Sequence, residues 1–430
     1  MNSMSYAPLH SLSNLIGNRT LPLLSIIVLM YTIVMIGNLS AANSVIDEHS
    51  YLTHKTRLIS NNQPPQLASK VAGDKFTVTG NLREAIRSLV NNGTNAAIVI
   101  GLVSPNGTQF YGYGKMSAAN HTTVNENTLF GIGSMTKSFT TLLLADMANR
   151  GMVNLDDTIG KYLPPGIKSP TFNGQQITLE ELATHTSGLS HDPPNMSLDG
   201  PGFQKYTLEQ MYHALSNTNL TRLPGTKYQY SNFGMALLGS ILASKVRVPY
   251  EQLVIQRILS PLGMNSTRIS LTKPLESRLA IGHRNGHQLP IIEDPPPYAP
   301  AGGFRSTALD MAKYLAASMG LTKTNLSSAM ELSHLPRFNT GIGGFGGHSR
   351  IYVGLAWFTT YTPDTSGITQ KLIWDNGQFN GYNGFIGFNP NAQRGVVILC
   401  SGVQKSLSIS QIGFGPYDNL SNIILNSLNR

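Results

Sequence analysis

A chain of 430 residues has room for two ordinary domains or one large composite one, with ample material for a core. Apolar residues make up 41% and charged residues only 12%, which excludes a disordered or strongly polyionic chain. The formal net charge of +9 forms no Lys/Arg stripe with aromatic platforms, which argues against nucleic acid as a partner. The single cysteine, Cys400, excludes an intramolecular disulfide and a cysteine-based zinc site; at the end of the run Val-Val-Ile-Leu-Cys400 it reads as a buried thiol.

The chain opens with Arg19, an apolar run over 21–36 and the small residues Ser40, Ala41 and Ala42. A positive flank, a short apolar segment and small residues predict an export signal over 1–42; the alternative is an uncleaved anchor that tethers the protein through 21–42 and faces it outward. The expected location is therefore secreted, periplasmic or cell-envelope. The sequons at Asn92, Asn106 and Asn265 read as chance matches in an asparagine-rich chain. Residues 43–81, polar with Pro64-Pro65, read as a linker, and 82–430 as one catalytic domain.

Within that domain 82–90 predicts a short amphipathic helix, 96–103 a buried strand, Pro105-Asn-Gly107 a hairpin turn and 109–113 the returning strand. An apolar helix follows from Ser134 to Arg150, closed by Gly151. Helix starts with Asp or Thr caps are expected at 155–163 and 177–183. A mostly helical lobe is expected over roughly 190–300. Strands return at 353–360, 371–374, 385–388 and 396–400, and a last apolar helix at 419–428. Strands at both ends with helices between predict an α/β (α+β) fold: one antiparallel sheet built from both termini, flanked by helices, with the lobe inserted.

Two stretches carry chemistry. In Gly-Ser134-Met-Thr-Lys137 the serine and lysine sit three apart at a helix start and project from one face. A serine hydroxyl needs a base, and a lysine is one only when burial or positive charge lowers its pKa. Free backbone N–H groups at the helix start can face an oxyanion. In Tyr230-Ser-Asn232, after a Pro-Gly turn, the phenol can relay a proton and the carboxamide can hold a substrate amide. Taken alone, each also fits a capped helix end.

Together, Ser134-x-x-Lys137 followed by Tyr230-Ser-Asn232 resembles the serine β-lactamase and penicillin-binding superfamily. Ile177-Thr-Leu-Glu-Glu-Leu-Ala-Thr-His-Thr-Ser-Gly-Leu189, Pro261-Leu-Gly-Met264 and Ala301-Gly-Gly-Phe-Arg-Ser-Thr307 are similar to its class C branch and related DD-peptidases and esterases. Pro164-Pro-Gly166 with Pro170-Thr-Phe-Asn-Gly174 looks most like the D-alanyl-D-alanine carboxypeptidase/endopeptidase members. The resemblance runs from about residue 82 to the C-terminus. It implies a third element, a Lys/His-Thr-Gly strand, whose position is filled here by Asp375-Asn376-Gly377-Gln378. By resemblance the amides of Ser134 and Gln378 form an oxyanion hole, Gly377 lets substrate approach the strand, and Asn376 replaces a hydroxyl donor. Asp375 is the departure. A carboxylate there loses a charge-assisted hydrogen bond of roughly 1.5–3 kcal/mol to an anionic substrate and raises the pKa of a nearby Lys137.

The remaining candidates have plainer readings. His185 lies outside any Gly-x-Ser-x-Gly elbow and reads as part of a hydrogen-bonded turn. His283 and His287 lack a carboxylate partner at metal spacing. His348 and Arg350 could offset Asp375 by binding a carboxylate. Gly341–Gly347 lacks the Lys-Ser/Thr of a phosphate loop. The expectation is an exported serine hydrolase working through an acyl-enzyme on β-lactams or D-Ala-containing peptides, with no cofactor and no metal. Its catalytic residues are Ser134, Lys137 and Tyr230, and its substrate-binding residues Asn232, Asn376 and Gly377. An esterase or D-amino-acid amidase of the same fold, and a non-hydrolytic penicillin-binding protein, are the alternatives.

Overall fold

The apolar run that starts at Ala97 becomes the middle of a sheet. Strand β1 (Ile98–Ser104) sends Val99 and Val103 into one core cluster and Ile98, Ile100 and Leu102 into another, the two-residue period of a strand covered on both faces. The computed structural model describes Arg87 and residues 97–117, 119–197, 201–343, 350–363 and 369–403, all within one compact unit, Gly73–Arg430. The expected leader, the linker, the helices at 82–90 and 419–428, Asn92 and His348 lie outside the described residues, apart from Arg87, which is helical. Among the described residues no helix is long and apolar enough to cross a membrane.

Seven more strands complete the sheet: β2 (Gly107–Tyr113), β3 (Phe338–Gly343), β4 (Arg350–Val353), β5 (Phe358–Pro363), β6 (Thr369–Phe379), β7 (Tyr382–Asn389) and β8 (Arg394–Cys400). They run antiparallel in the order β2-β1-β8-β7-β6-β5-β4-β3. Ile98 faces Cys400 across β1 and β8, so early and late segments are neighbours in the sheet, as the sequence predicts.

Helix α1 (Thr136–Asn149) is buried from Thr136 to Met147 on every side. Its hydroxyls are satisfied inside: Ser138 Oγ donates to Met135 O, Thr140 Oγ1 to Pro300 O and Thr141 Oγ1 to Leu355 O. Around it stand α2 (Leu179–Ala183), α3 (Leu208–Ser216), α4 (Asn232–Val246), α5 (Ala308–Ser318) and α6 (Ser327–His334). Thr178 with Glu181, and Thr207 with Gln210, form reciprocal capping boxes that start α2 and α3. Helix α5 packs on β1 and β8.

Three expectations change. The helix predicted over 155–163 is one 3-10 turn, Ile159–Lys161, because Asp157 accepts from Asn154, Lys161 and Tyr162 and Thr158 pairs as an isolated bridge with Thr178. The strand expected over 353–360 is two strands, β4 and β5, divided by a tight turn in which Ala356 takes φ +63° and Gly354 N donates to Trp357 O. Strand β3 has no sequence counterpart: its Phe-Asn-Thr-Gly-Ile-Gly is half polar and glycine-rich, and reads as a loop.

Candidate active site

A short strand pair, Leu129–Gly131 against Arg305–Thr307, delivers the chain to Gly133. Gly133 adopts φ +50° and opens a 3-10 turn, Gly133–Met135, that runs directly into α1. This bend lifts Ser134 out of the core, so that it alone of residues 129–147 is not fully buried. Lys137, one turn on, is 2% exposed. Its Nζ lies 3.1 Å from Ser134 Oγ and donates to Ala301 O at 2.6 Å.

Burial drives the Lys137 pKa down to about 7, while the carboxyls of Asp375, Asp192 and Asp294 oppose the fall. Tyr230 Oη donates to Ser134 Oγ at 2.6 Å, and the Lys137 Nζ lies 4.9 Å from the Tyr230 ring centre. Burial raises the Tyr230 phenol well above its ordinary value, so it stays protonated as a donor. The serine thus sits between a lysine made easy to deprotonate and a tyrosine that keeps its proton.

Tyr230 is aimed from behind. Its ring lies 4.4 Å from that of His185, whose Nδ1 accepts the Ser231 N–H at 3.1 Å. His185 is buried at φ +58°, and burial holds its pKa well below the usual value, so it is a neutral packing group at a hydrogen-bonded turn. Ser231, and not Asn232, caps α4: its Oγ accepts Gly234 N–H. That frees the Asn232 side chain, whose Nδ2 donates to Asp192 Oδ1 at 3.1 Å. Asp192 also accepts from Tyr298 Oη and pairs with His191 Nδ1 at 2.6 Å.

Sequence reasoning missed this Asp192–His191–Tyr298 network. Its only signal was the His191-Asp192 pair, one residue past the end of the Ile177–Leu189 stretch, which periodicity and motif spacing do not flag. It also missed Asp294, buried with Oδ2 unpartnered among the described residues; burial pushes its pKa up to about 7 against the pull of Arg305 and Lys137.

The third element comes from β6. Pairing with β5 stops at Trp374, and the strand continues through Asp375-Asn376-Gly377-Gln378 beside the Ser134 turn. Gly377 is required by the packing itself: a Cβ there would lie 1.9 Å from Ile132 O and 3.0 Å from Met135 N. That space is filled by the backbone of the Ser134 turn. A Cβ on Gly133 would likewise meet Gln378 backbone atoms at 2.9 Å. Two glycines therefore interlock turn and strand, bringing the Ser134 and Gln378 backbones together. Asn376 and Gln378 are half-buried. Asp375 is 3% exposed; Oδ1 accepts the Asn376 N–H at 2.8 Å and Oδ2 has no partner among the described residues. Burial raises its pKa to about 8, with Lys137 and the Asn376 N–H pulling the other way.

Arg350 does not belong to this site. The register Ile351–Thr360–Leu372 places it level with Lys371, two strands over and about 16 Å along β6 from Asn376. His283 and His287 lie on a small hairpin, His283–Arg284 with His287–Gln288. Among the described residues no group of three or more His, Cys, Asp or Glu could hold a metal ion.

This architecture is shared with solved structures. A β-lactamase/D-alanine carboxypeptidase from Yersinia pestis complexed with citrate superposes with TM-score 0.67 at 23% identity, over 82% of this chain and 100% of that one. A class C β-lactamase from Rhodobacter sphaeroides gives 0.66 at 22% identity, over 80% and 99%. The fold is therefore that of the class C β-lactamases. The Beta-lactamase family model matches residues 82–408, and the chain belongs to that family. Among curated relatives, the D-alanyl-D-alanine-carboxypeptidase/endopeptidase AmpH of Escherichia coli K12 is 34% identical over 226 residues, 52% of this chain and 56% of the relative. The match thus spans little more than half of that relative's length. A β-lactamase of the same organism is 26% identical over 324 residues, 68% of this chain and 80% of the relative.

Proposed function

We propose that the chain is a serine hydrolase that forms an acyl-enzyme at Ser134 on the amide bond of a β-lactam or a D-Ala-containing peptide. The observation that carries this reading is the placement of Ser134 Oγ between Lys137 Nζ at 3.1 Å and Tyr230 Oη at 2.6 Å. Neutral Lys137, one N–H donated to Ala301 O, turns its lone pair to the serine proton. As Oγ bonds to the carbonyl carbon, that proton moves to Nζ and the carbonyl electrons to oxygen, where the Ser134 and Gln378 amides receive the charge. Tyr230 then relays a proton to the leaving nitrogen. Water, activated by the same groups, releases the acyl product. Asn232 and Asn376 orient the substrate amide, and Gly377 holds the turn against the strand. Residues 1–42 direct export, with a membrane tether as the alternative outcome; the N-terminus of the mature protein decides between them.

The test is intact mass of residues 43–430 over time after adding a penicillin, with Ser134→Ala alongside. One adduct, absent from the variant, supports the reading; its decay separates a hydrolase from a stable penicillin-binding protein. No adduct on folded protein overturns the β-lactam half. A second reading, an esterase or D-amino-acid amidase, is favoured by Asp375, which offers a substrate carboxylate no cation. It predicts turnover of short neutral esters without a penicillin adduct.

A further inference from the structure

A carboxamide has two ends of similar shape and opposite chemistry, an acceptor oxygen and a donor nitrogen, so whatever fixes its rotation decides what it can bind. Asn232 is fixed first through its backbone. Its N–H donates to His191 O at 2.7 Å, the Phe233 N–H donates to the same oxygen at 3.1 Å, and Ser231 Oγ donates to Ser190 O at 2.6 Å. Residues 190–192 are thereby clamped to the start of α4, with the His191 ring 5.6 Å from that of Tyr230.

The same loop then sets the side chain. Asn232 Nδ2 donates to Asp192 Oδ1 at 3.1 Å. Three segments meet at Asp192, which also accepts from Tyr298 Oη and, at 2.6 Å, from His191 Nδ1. Burial opposes its charge, but the donors His191, Tyr298 and Asn232 outweigh burial and hold its pKa below the ordinary value. An ionised carboxylate only accepts, so the Asn232 oxygen cannot take the place of its nitrogen there. Nδ2 is turned into the network, and Oδ1 is left at the other end of the amide with no donor among the described residues. Tyr230, two residues earlier, holds this end of α4 beside Ser134.

We propose that Asp192 is a positioning residue that turns the Asn232 oxygen toward the substrate, so that the site reads an N–H, such as that of an acylamino group next to the scissile carbonyl, and not a carbonyl. The inference rests on the acyl-transfer reading above and narrows its substrate class. Asp192 touches none of the reacting atoms; it acts through Asn232. A substrate N–H facing Oδ1 gains a hydrogen bond, whereas an oxygen in its place sets two acceptors face to face and leaves both unpaired.

The test compares two p-nitrophenyl esters on the full chain, those of N-acetyl-D-alanine and O-acetyl-D-lactate, which differ only by an N–H against an oxygen. For each, kcat/KM is divided by the rate of its hydrolysis by hydroxide. Wild type should favour the N–H ester about ten- to a hundredfold. Asp192→Asn, which can meet either end of Asn232, should cut that preference about tenfold; Asp192→Ala serves if that variant does not fold. Tyr298→Phe, which removes one donor but keeps the carboxylate, should retain the preference. A wild type that turns over both esters without preference overturns the reading of an N–H. A preference that survives in the Asp192 variant, or is lost equally in Tyr298→Phe, overturns the positioning role and leaves a structural residue. A wild type that releases p-nitrophenol from neither ester overturns the acyl-transfer reading itself, a different result from turnover without preference.

Discussion

At the scale of single residues, the site is governed by what burial does to charge. Lys137 and Tyr230 are displaced in opposite senses, one toward losing its proton and one toward keeping it. Tyr230→Phe removes the donor at 2.6 Å and should lower kcat about 10²–10⁴-fold, measured by ester or β-lactam turnover, while the thermal midpoint moves little. Asp294 gives a stability counterpart. Its folded pKa of about 7 lies above the ordinary 3.8, so the native chain keeps a proton that the unfolded chain releases. That contribution is whole below about pH 4 and is lost as pH rises through 7. Asp294→Asn should therefore gain on wild type between pH 5 and pH 8, by up to about 3 kcal/mol, read from urea midpoints at the two pH values. Ser134, Lys137, Tyr230 and Asn232 were visible in the sequence because two short motifs carry them. Asp192, His191 and Asp294 were not, because what brings them to Lys137 is packing of loops far apart in the chain.

At the scale of elements, the interlock of the Ser134 turn with β6 sets the tolerance of the site. Gly377→Ala must push a methyl into Ile132 O; it should cost at least the 1–3 kcal/mol of overpacking and should slow Ser134 acylation out of proportion to that loss. Thr178→Ala, by contrast, removes one cap of α2 and should cost about 1 kcal/mol in urea unfolding with acylation unchanged. Long apolar elements such as β1, β8 and α1 could be read from periodicity. The split of β4 from β5 could not, since its turn rests on Ala356 at φ +63°, a residue type that gives no turn signal. Gly377 was legible as a necessary glycine, but its neighbour was not: only the fold shows that the crowding atom is Ile132 O.

At the scale of the whole molecule, the antiparallel sheet joined from both ends was expected because strands flank the helical middle, and the pairing of Ile98 with Cys400 realises it. Edge strand β3 escaped because an exposed edge needs little hydrophobicity. Cys400 offers a measurement at this scale. It is 1% exposed between β1 and β7, so alkylation should be blocked in native protein and should rise with denaturant in step with the loss of circular dichroism. Labelling well before that transition would show that the β1–β8 pair opens separately.

The glycine contact between the Ser134 turn and Gln378 joins positions more than half of the chain apart. On the proposed mechanism, a ribosome that has made Ser134, Lys137 and Tyr230 has still made nothing that can acylate, since the Gln378 amide opposite Ser134 has not yet been synthesised. On that reading the chain is silent until its last strands dock, a latency that needs no inhibitor and no cleavage to end it.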